Sequence, residues 1–439
     1  MIKLLVVSVA LGLAVGLTGC GPTPFPPPAT STPVVEIIST SLPTPALTAT
    51  LTPVVEIPPT LTPTPASATT TPGALPASGT VRPTNTLRAT PTPTNMNTPS
   101  PTPALTVTPQ STRQTAGLTL PDGYEASVVI RGLQGPTQMI IGPNDWLWLA
   151  QLAGDENAGQ GQVVAVSLTS GEQRVLLSSL FKPTGIAVLA NALWIAAGRD
   201  LLRTPLSETG EVGPVETVLK DLPFNGRSNG TLTISPAGRL IFETSGQRNG
   251  SQMPQDSARL WELDPANPTN PRPIATGLKN AYAHTFDAAG RLWTTDVLDD
   301  PVNGEAPPDE LNLVVEGANF GWLPCFGYQQ PDLNYGGSEE SCHATRPPVA
   351  LFSPHSTPTS VVVSPWEENT LLVALWGPSE RAIVQVSFTL AGDNAVGKFA
   401  LFVTGMQNPQ HLLPLPDGSL LASDSGAGII YRISRSSSN

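Results

Sequence analysis

A short motif recurs six times between Pro136 and Ile433: an apolar segment, a turn built on Gly, Pro, Asp or Asn, and a second apolar segment. The copies start at residues 136, 183, 229, 280, 358 and 409. Successive starts are 46–51 residues apart, except that 78 residues separate the fourth start from the fifth. Such a period is typical of blades built from four antiparallel strands. The sequence therefore predicts an all-β fold, a six-bladed β-propeller, with an insertion in its fourth unit.

The first 20 residues combine a positive charge at Lys3 with an apolar run and a small-residue exit, which is typical of a secretory signal. The run is too short and ends too abruptly for a comfortable membrane span. Its last four residues, Leu17–Cys20, resemble a bacterial lipobox, in which the cysteine is lipidated. We expect Cys20 to anchor a cell membrane lipoprotein that faces outside the cytoplasm. The alternative is an ordinary secreted protein with a chance cysteine.

Residues 21–116 are dominated by Thr, Pro, Ser and Ala, with repeats such as TPTP and few charged side chains. Such a segment buries too little apolar surface to offset the entropy lost on ordering. We expect a disordered Thr/Pro-rich tether that links residues 1–20 to a propeller formed by residues 117–439.

The net charge of −12 argues against a nucleic-acid partner. Two of the three cysteines, Cys325 and Cys342, lie inside the predicted insertion. Outside the cytoplasm, oxidising conditions allow thiols to pair, so we expect a disulfide that closes this loop. Two free buried thiols are the alternative. A zinc site with His343 is less favoured because no second ligand pair has zinc spacing.

Three segments of the fourth unit and its insertion resemble the glucose/sorbosone dehydrogenase family: Gly277–Asn280, Asp309–Asn312 and Gly317–Trp322. The resemblance extends to the segments from Leu120 and from Pro416, and so covers about residues 117–435. Members are six-bladed propellers that use pyrroloquinoline quinone (PQQ) to oxidise sugars. The resemblance implies a sugar or alcohol substrate at the channel mouth, where propeller loops carry ligand sites.

The same resemblance implies the residues that would hold PQQ. Lys279 replaces the family's cofactor-binding arginine, and Asn280 follows it. Arg381 falls where the family often has basic residues, and His355 falls where some members have a histidine. PQQ carries three carboxylates, which planar arginine forks match better than lysine does. Arg227 and Arg346 are further candidates, with solvated surface as the alternative for each.

Acidic residues are concentrated between residues 296 and 310: Asp296, Asp299, Asp300, Glu305, Asp309 and Glu310. Carboxylate and carbonyl oxygens suit a hard cation such as calcium. The resemblance places Asp309 on a calcium-ligand position, and we expect Asp296 and the turn after it to contribute. We also expect Asp309 to lie on a loop. The alternative is a solvated acidic loop without a cation.

No catalytic residue is assigned, because the family's general-base histidine is absent from the corresponding stretch, Phe224–Gly230. Of the four histidines, His284 and His411 are expected to be structural, His284 as a hydrogen-bonded core residue. Two functions remain open: a PQQ-dependent dehydrogenase, or a propeller that has lost the quinone and binds a carbohydrate, peptide or protein. A lactonase-like hydrolase is less favoured, because no ring of Glu, Asn and Asp ligands is visible.

Overall fold

A computed structural model describes residues 112–226, 229–247, 253–298 and 305–436. The predicted signal segment, Cys20 and nearly all of the tether lie outside these residues. The described chain begins with three strands: β1 (Thr112–Thr115), β2 (Leu118–Pro121) and β3 (Tyr124–Ile130). β1 and β2 pair as an antiparallel hairpin, so regular structure begins before residue 117, where the propeller was predicted to start.

Blades 1 and 2 are four-stranded antiparallel sheets in simple chain order. Blade 1 contains β4 (Pro136–Ile141), β5 (Leu147–Gln151), β6 (Gly161–Val166) and β7 (Gln173–Leu180), with a 3₁₀ turn at Pro143–Asp145. Blade 2 contains β8 (Pro183–Leu189), β9 (Ala192–Ala197), β10 (Asp200–Pro205) and β11 (Glu216–Leu219).

Blade 3 has the same order and gains a short parallel strand from the insertion. It contains β12 (Thr233–Ile234), β13 (Leu240–Thr244), β14 (Arg259–Leu263) and β15 (Arg272–Thr276). Blade 4 starts with β16 (His284–Phe286), β17 (Leu292–Asp296) and β18 (Pro308–Val314).

The insertion interrupts blade 4 before its outer strand. It comprises β19 (Ala318–Asn319), β20 (Cys325–Phe326), β21 (Gln330–Pro331), a 3₁₀ turn at Leu333–Tyr335 and helix α1 (Glu339–His343). β22 (Ala350–Pro354) then completes the blade by pairing with β18. Cys325 and Cys342 form a disulfide with an S–S distance of 2.04 Å. The predicted insertion and its disulfide are both confirmed.

Blades 5 and 6 complete the ring. Blade 5 contains β23 (Pro358–Val363), β24 (Thr370–Leu375), β25 (Ala382–Ala391) and β26 (Asn394–Thr404). Blade 6 contains β27 (Pro409–Pro414), β28 (Leu420–Asp424) and β29 (Ile429–Arg435), and its fourth strand is β3 from the start of the propeller. The six repeats are thus confirmed as six blades, closed by strands from both ends of the chain.

The ring is stabilised because each blade packs against a neighbouring blade on both of its faces. β5, β9, β13 and β24 are buried along their whole length, which explains their nearly continuous apolar sequences. Large side chains fill the spaces between sheets: Trp293 of blade 4 packs against Phe388 of blade 5, with ring centroids 4.5 Å apart. Trp194 and Phe242 share one core cluster between blades 2 and 3.

We call the end at which each first strand begins and each second strand ends the upper end. The insertion packs onto this end of blades 3 and 4, because Trp322 N–H donates to Gly277 O (3.0 Å). Gly246 is required beneath it: a Cβ there would lie 2.7 Å from the Trp322 ring. Within the described ranges, no helix is long and apolar enough to cross a membrane.

The expectation that Asp309 lies on a loop is wrong. Asp309 and Glu310 belong to β18, which pairs with β17 on one side and β22 on the other. Asp296 ends β17, opposite Glu310. The strand forms because Leu311 and Leu313, which follow the acidic pair, are buried in the core of blades 4 and 5.

Candidate functional site

Backbone turns and carboxylates bring several of the predicted residues together at the upper end of blade 4. The backbone N–H groups of Lys279 and Asn280 donate to the Asp296 carboxylate at 2.9 and 2.5 Å. The Asp309 carboxylate accepts from Leu298 N–H (2.7 Å) on its own blade and from Thr357 N–H (2.7 Å), which leads into blade 5. These bonds join the ends of blades 4 and 5.

His355 and Arg381 lie at the same end of blade 5, and both are exposed. His355 immediately precedes Ser356, whose hydroxyl donates to Asp309 (3.0 Å) and whose carbonyl accepts from Gly377 N–H (2.7 Å). Arg381 follows four residues after Gly377, just before β25 begins. Of the other arginine candidates, Arg346 pairs with Asp393 (3.2 Å), and Arg227 lies outside the described residues.

The two predicted metal ligands are already engaged by hydrogen-bond donors. Both oxygens of Asp296 accept backbone N–H groups, and both oxygens of Asp309 accept at least one donor. Burial raises the pKa of Asp296 to about 7, against the opposing effect of the Asn280 and Lys279 hydrogen bonds. Among the residues that the structure describes, no three His, Cys, Asp or Glu side chains form a metal-binding group. Calcium at Asp296 and Asp309 stays a prediction; Asp299 and Asp300 are not described.

Sequence reasoning missed Glu243, the central acidic residue of this end. It lies on β13, is 1 % exposed, and accepts from Asn280 Nδ2 through Oε1. Burial, followed by the charge of Asp296, raises the pKa of Glu243 well above its usual value. Among the described residues its second oxygen, Oε2, has no hydrogen-bond partner, although the nearby Ala281 backbone N–H lowers the pKa of the carboxyl. A signal was available in the sequence LIFET, where a glutamate interrupts an apolar strand.

Asn229 complements Glu243. Asn229 Oδ1 accepts from the hydroxyl of Ser245 at 2.6 Å, and the same hydroxyl lies 3.5 Å from Glu243 Oε1. Asn229 is 4 % exposed, and its Nδ2 has no hydrogen-bond partner within the part of the chain that the structure describes. Glu243 and Asn229 therefore both contact the Ser245 hydroxyl through one side-chain atom. The other atom of each side chain, the acceptor Glu243 Oε2 and the donor Asn229 Nδ2, is buried without a partner among the described residues. Such groups are costly unless a ligand or water satisfies them.

Polar side chains cross the central channel below this end. Gln138 of β4 accepts from Ile186 N–H (2.9 Å) and Leu232 N–H (2.8 Å), and its Nε2 donates to Leu232 O (2.7 Å). On the other side, Gln410 Nε2 lies 2.9 Å from the Tyr282 hydroxyl. These bonds join the inner edges of blades 1, 2 and 3 to one another and, separately, those of blades 4 and 6.

The two channel histidines are both neutral. Burial lowers the pKa of His284 and of His411 to about 3. His411 Nδ1 accepts from Met139 N–H (3.3 Å), which fits the predicted structural role. His284 is a core residue as predicted, but the expected side-chain hydrogen bond is not found: neither ring nitrogen has a partner among the residues of the four described ranges. Neither histidine supplies the missing general base at this pKa.

Comparison with solved structures supports this architecture. An AA12 carbohydrate-active enzyme of Trichoderma reesei superposes with a TM-score of 0.59 at 18 % identity, covering 76 % of this chain and 100 % of that one. The PQQ domain of pyranose dehydrogenase from Coprinopsis cinerea gives 0.59 at 16 % identity, over 74 % and 98 % of the two chains.

The PQQ-bound aldose sugar dehydrogenase of Streptomyces coelicolor gives a TM-score of 0.54 at 18 % identity, over 72 % of this chain and 99 % of that one. No protein-family model and no curated protein sequence matches this chain. At these identities, the structural likeness establishes that this chain has the fold of the sugar-dehydrogenase propellers.

Proposed function

We propose that this propeller oxidises a hydroxyl group of a sugar or related alcohol at the upper end of blades 3–5, with PQQ as cofactor. The fold is that of proteins described as PQQ-dependent or aldose sugar dehydrogenases. The observation that carries the proposal is the unpaired couple of Glu243 Oε2 and Asn229 Nδ2. A hydroxyl both donates and accepts, so a substrate hydroxyl placed between these two atoms would satisfy both.

The residues at this end fit a carboxylated cofactor. Arg381 and His355 are exposed where an anionic group would meet them, and Lys279 brings a buried cation beside Asn280. Burial raises the pKa of Glu243 and Asp296 and so favours their neutral forms. These two carboxyl groups therefore repel an anionic cofactor less than two ionised carboxylates would. Arg381 is the one guanidinium among the four predicted cofactor residues, so we expect weaker PQQ binding than several arginine forks would give.

Bound PQQ would accept the hydride that leaves the alcohol carbon. The chain's own contribution concerns the hydroxyl proton. Asn229 Nδ2 would donate to the hydroxyl oxygen while ionised Glu243 takes the proton through Oε2. A raised pKa makes Glu243 a stronger base when ionised and requires a higher pH to ionise it. Because both atoms are shielded from solvent in this structure, neighbouring side chains must move apart for the substrate to enter.

We include a bound calcium ion in the same proposal. The main role of Asp309 would be to position the backbone groups that bind the ion. Its carboxylate holds Leu298 N–H and thereby fixes the turn after Asp296. Backbone carbonyls of that turn and oxygens of the cofactor would then supply hard ligands for the cation. Asp309 would orient these ligands even if it does not contact the metal.

We also propose that Cys20 carries lipid and holds the propeller outside the cytoplasm at the cell membrane. The support is the LTGC exit after a short apolar run. Wild-type protein should fractionate with membranes and remain there in high salt, whereas Cys20→Ala should be released. Retention of Cys20→Ala on the membrane would place the anchor elsewhere.

A PQQ titration of the purified protein, followed by absorbance, tests the cofactor. Dye reduction with sugars and polyols then tests oxidation. We expect a dye-reduction rate that depends on PQQ and rises with pH, and a loss of at least about tenfold in Glu243→Gln, which has no proton-accepting carboxylate. Glu380→Gln is the matched control, because Glu380 also has an unpaired oxygen among the described residues but takes no part in the Asn229–Ser245–Glu243 cluster. If PQQ does not bind but a carbohydrate does, the binding-only alternative is correct.

A further inference from the structure

A groove opens at the upper end between blades 2 and 3, with a volume of about 410 Å³. We define the blade 2–3 groove by Arg199, Lys220 and Asp221 on one side and by Gln247, Asp256 and Trp261 on the other. Its volume lies within the range of small-molecule sites. None of the residues predicted from the sequence to form the functional site lines it.

The groove has no net charge among these residues, because two cations face two carboxylates. Arg199 lies 3.9 Å and Lys220 lies 4.0 Å from Asp221, at the limit of ion-pair contact, so their donors remain open to a further hydrogen-bond acceptor. Asp256 pairs with Arg259 (3.2 Å). With Asp256 neutralised by Arg259, the open donors of Arg199 and Lys220 can bind hydroxyl oxygens of a neutral ligand.

Aromatic residues form the inner wall. Phe242 and Trp261 are stacked, with ring centroids 6.3 Å apart and planes inclined by 13°. Trp261 is fixed by a hydrogen bond from its indole N–H to the Thr244 hydroxyl (2.9 Å). Both rings are largely buried, at 2 % and 8 % exposed, and the Arg259 guanidinium lies 5.6 Å from the centre of the Trp261 ring, so the rings offer only a narrow apolar strip beneath the polar rim. Such a strip, rimmed by hydrogen-bonding groups, suits the C–H edge and the hydroxyl groups of a sugar.

The groove adjoins the proposed reaction site through one short segment. Gln247 lines the groove, and its N–H donates to the Ser257 hydroxyl (2.7 Å), which in turn donates to Ser245 O (2.9 Å). The Ser245 hydroxyl contacts Asn229. The groove-lining Gln247 is therefore linked through Ser257 and Ser245 to Asn229 and Glu243.

We infer that the blade 2–3 groove binds the outer units of a neutral oligosaccharide whose terminal unit occupies the proposed reaction site. This inference rests on the proposed function for the identity of that terminal unit. It changes the expected substrate from a free monosaccharide to an oligosaccharide, and it makes Arg199, Lys220 and Gln247 determinants of chain-length specificity.

The test is calorimetric titration of the purified full-length protein, without added PQQ, with D-glucose, cellotriose and maltotriose. We expect at least one trisaccharide to bind about tenfold or more tightly than glucose, as one additional hydrogen bond to a charged group would give. The double variant R199A/K220A should lose this advantage and keep wild-type affinity for glucose. Both side chains are exposed, so the fold should tolerate their removal.

Lys398→Ala is the matched control, because Lys398 is an exposed lysine on β26 of blade 5. It should behave as wild type. Equal affinities for all three sugars, or a trisaccharide advantage that survives in R199A/K220A, would overturn the inference. Oxidation of glucose without any trisaccharide preference would refute the groove and leave the proposed function standing. Trisaccharide binding that depends on Arg199 and Lys220, without PQQ-dependent oxidation, would support the groove and refute the proposed dehydrogenase chemistry.

Discussion

Asp296 of blade 4 and Asp424 of blade 6 occupy equivalent positions and make equivalent hydrogen bonds to the backbone. Each ends the second strand of its blade and accepts two backbone N–H groups from the turn that leads into the first strand. For Asp296 the donors are on Lys279 and Asn280, and for Asp424 they are on Gln407 and Asn408. The repetition identifies Asp296 as a structural cap of blade 4, whatever else it binds.

We therefore predict that Asp296→Asn and Asp424→Asn each lower the free energy of unfolding by about 1–3 kcal/mol, because an amide nitrogen would face a buried N–H donor. Urea unfolding with a chelator present measures this loss. Asp417→Asn, in an exposed turn, should change stability by less than about 0.5 kcal/mol. A loss for Asp296→Asn that is seen only with calcium would instead identify Asp296 as a metal ligand.

Calcium should raise the melting temperature of the wild-type protein, by the linkage relation RT ln(1 + [L]/Kd). Asp309→Asn should abolish this gain and should also melt earlier than wild type in chelator, because Asp309 joins blades 4 and 5 through Leu298 and Thr357. Differential scanning calorimetry with chelator and with millimolar calcium measures both effects. Coincident wild-type curves would exclude calcium from the site.

Glu310 should make the protein less stable as the pH rises. Burial, followed by the charge of Asp296, raises the pKa of Glu310 to about 8. The folded state holds this proton more tightly than the unfolded state, so the stabilisation is complete below about pH 4.5 and is lost as the pH rises towards 8. The slope for one such group is at most about 1.4 kcal/mol per pH unit.

Glu310→Gln should flatten this dependence. The glutamine carbonyl can still accept from Gly327 N–H. Its amide can donate to Asn312 Oδ1, which has no partner among the described residues of the wild-type protein, once the Asn312 side chain flips. Melting temperatures of wild type and Glu310→Gln, compared at pH 5 and pH 8, decide the matter. Parallel shifts in the two proteins would show that Glu310 does not carry the effect.

The Cys325–Cys342 disulfide should stabilise the insertion. In the chain-entropy model, closing a loop of this length contributes about 3 kcal/mol. Cys325→Ser/Cys342→Ser should therefore unfold at lower denaturant concentration, and reductant should lower wild-type stability to the same level. The double variant provides the control, because reductant should leave it unchanged. A wild-type protein insensitive to reductant, with the bond verified as broken, would contradict this prediction.

The blades and the insertion could be predicted because their signals are local and repeated. Turn residues and apolar segments return at a nearly constant spacing, and both insertion cysteines fall within the enlarged interval. The acidic residues were harder. Asp296, Asp309 and Glu310 are close in sequence and suggested a loop, yet β17 and β18 place them on paired strands, where backbone donors engage them.

Glu243 was missed because its meaning depends on contacts distant in sequence. Asn280 and Asp296, which belong to the next blade, both interact with Glu243. The sequence LIFET shows a glutamate within an apolar strand but does not identify these partners. His284 shows the same limit: its strand and burial follow from the alternating pattern, whereas the absence of a hydrogen-bond partner depends on the side chains packed around it.

The pairing of β3 with β29 also determines when the propeller can close during synthesis of the chain. β3 is among the first strands of the propeller to be made, and its partner is the last. Until β29 emerges, the edge of β3 has no native strand to pair with and is open to association with other chains. Ring closure is thus a late, long-range event, and a chain truncated before residue 429 would lack β29 and leave β3 without its partner in blade 6.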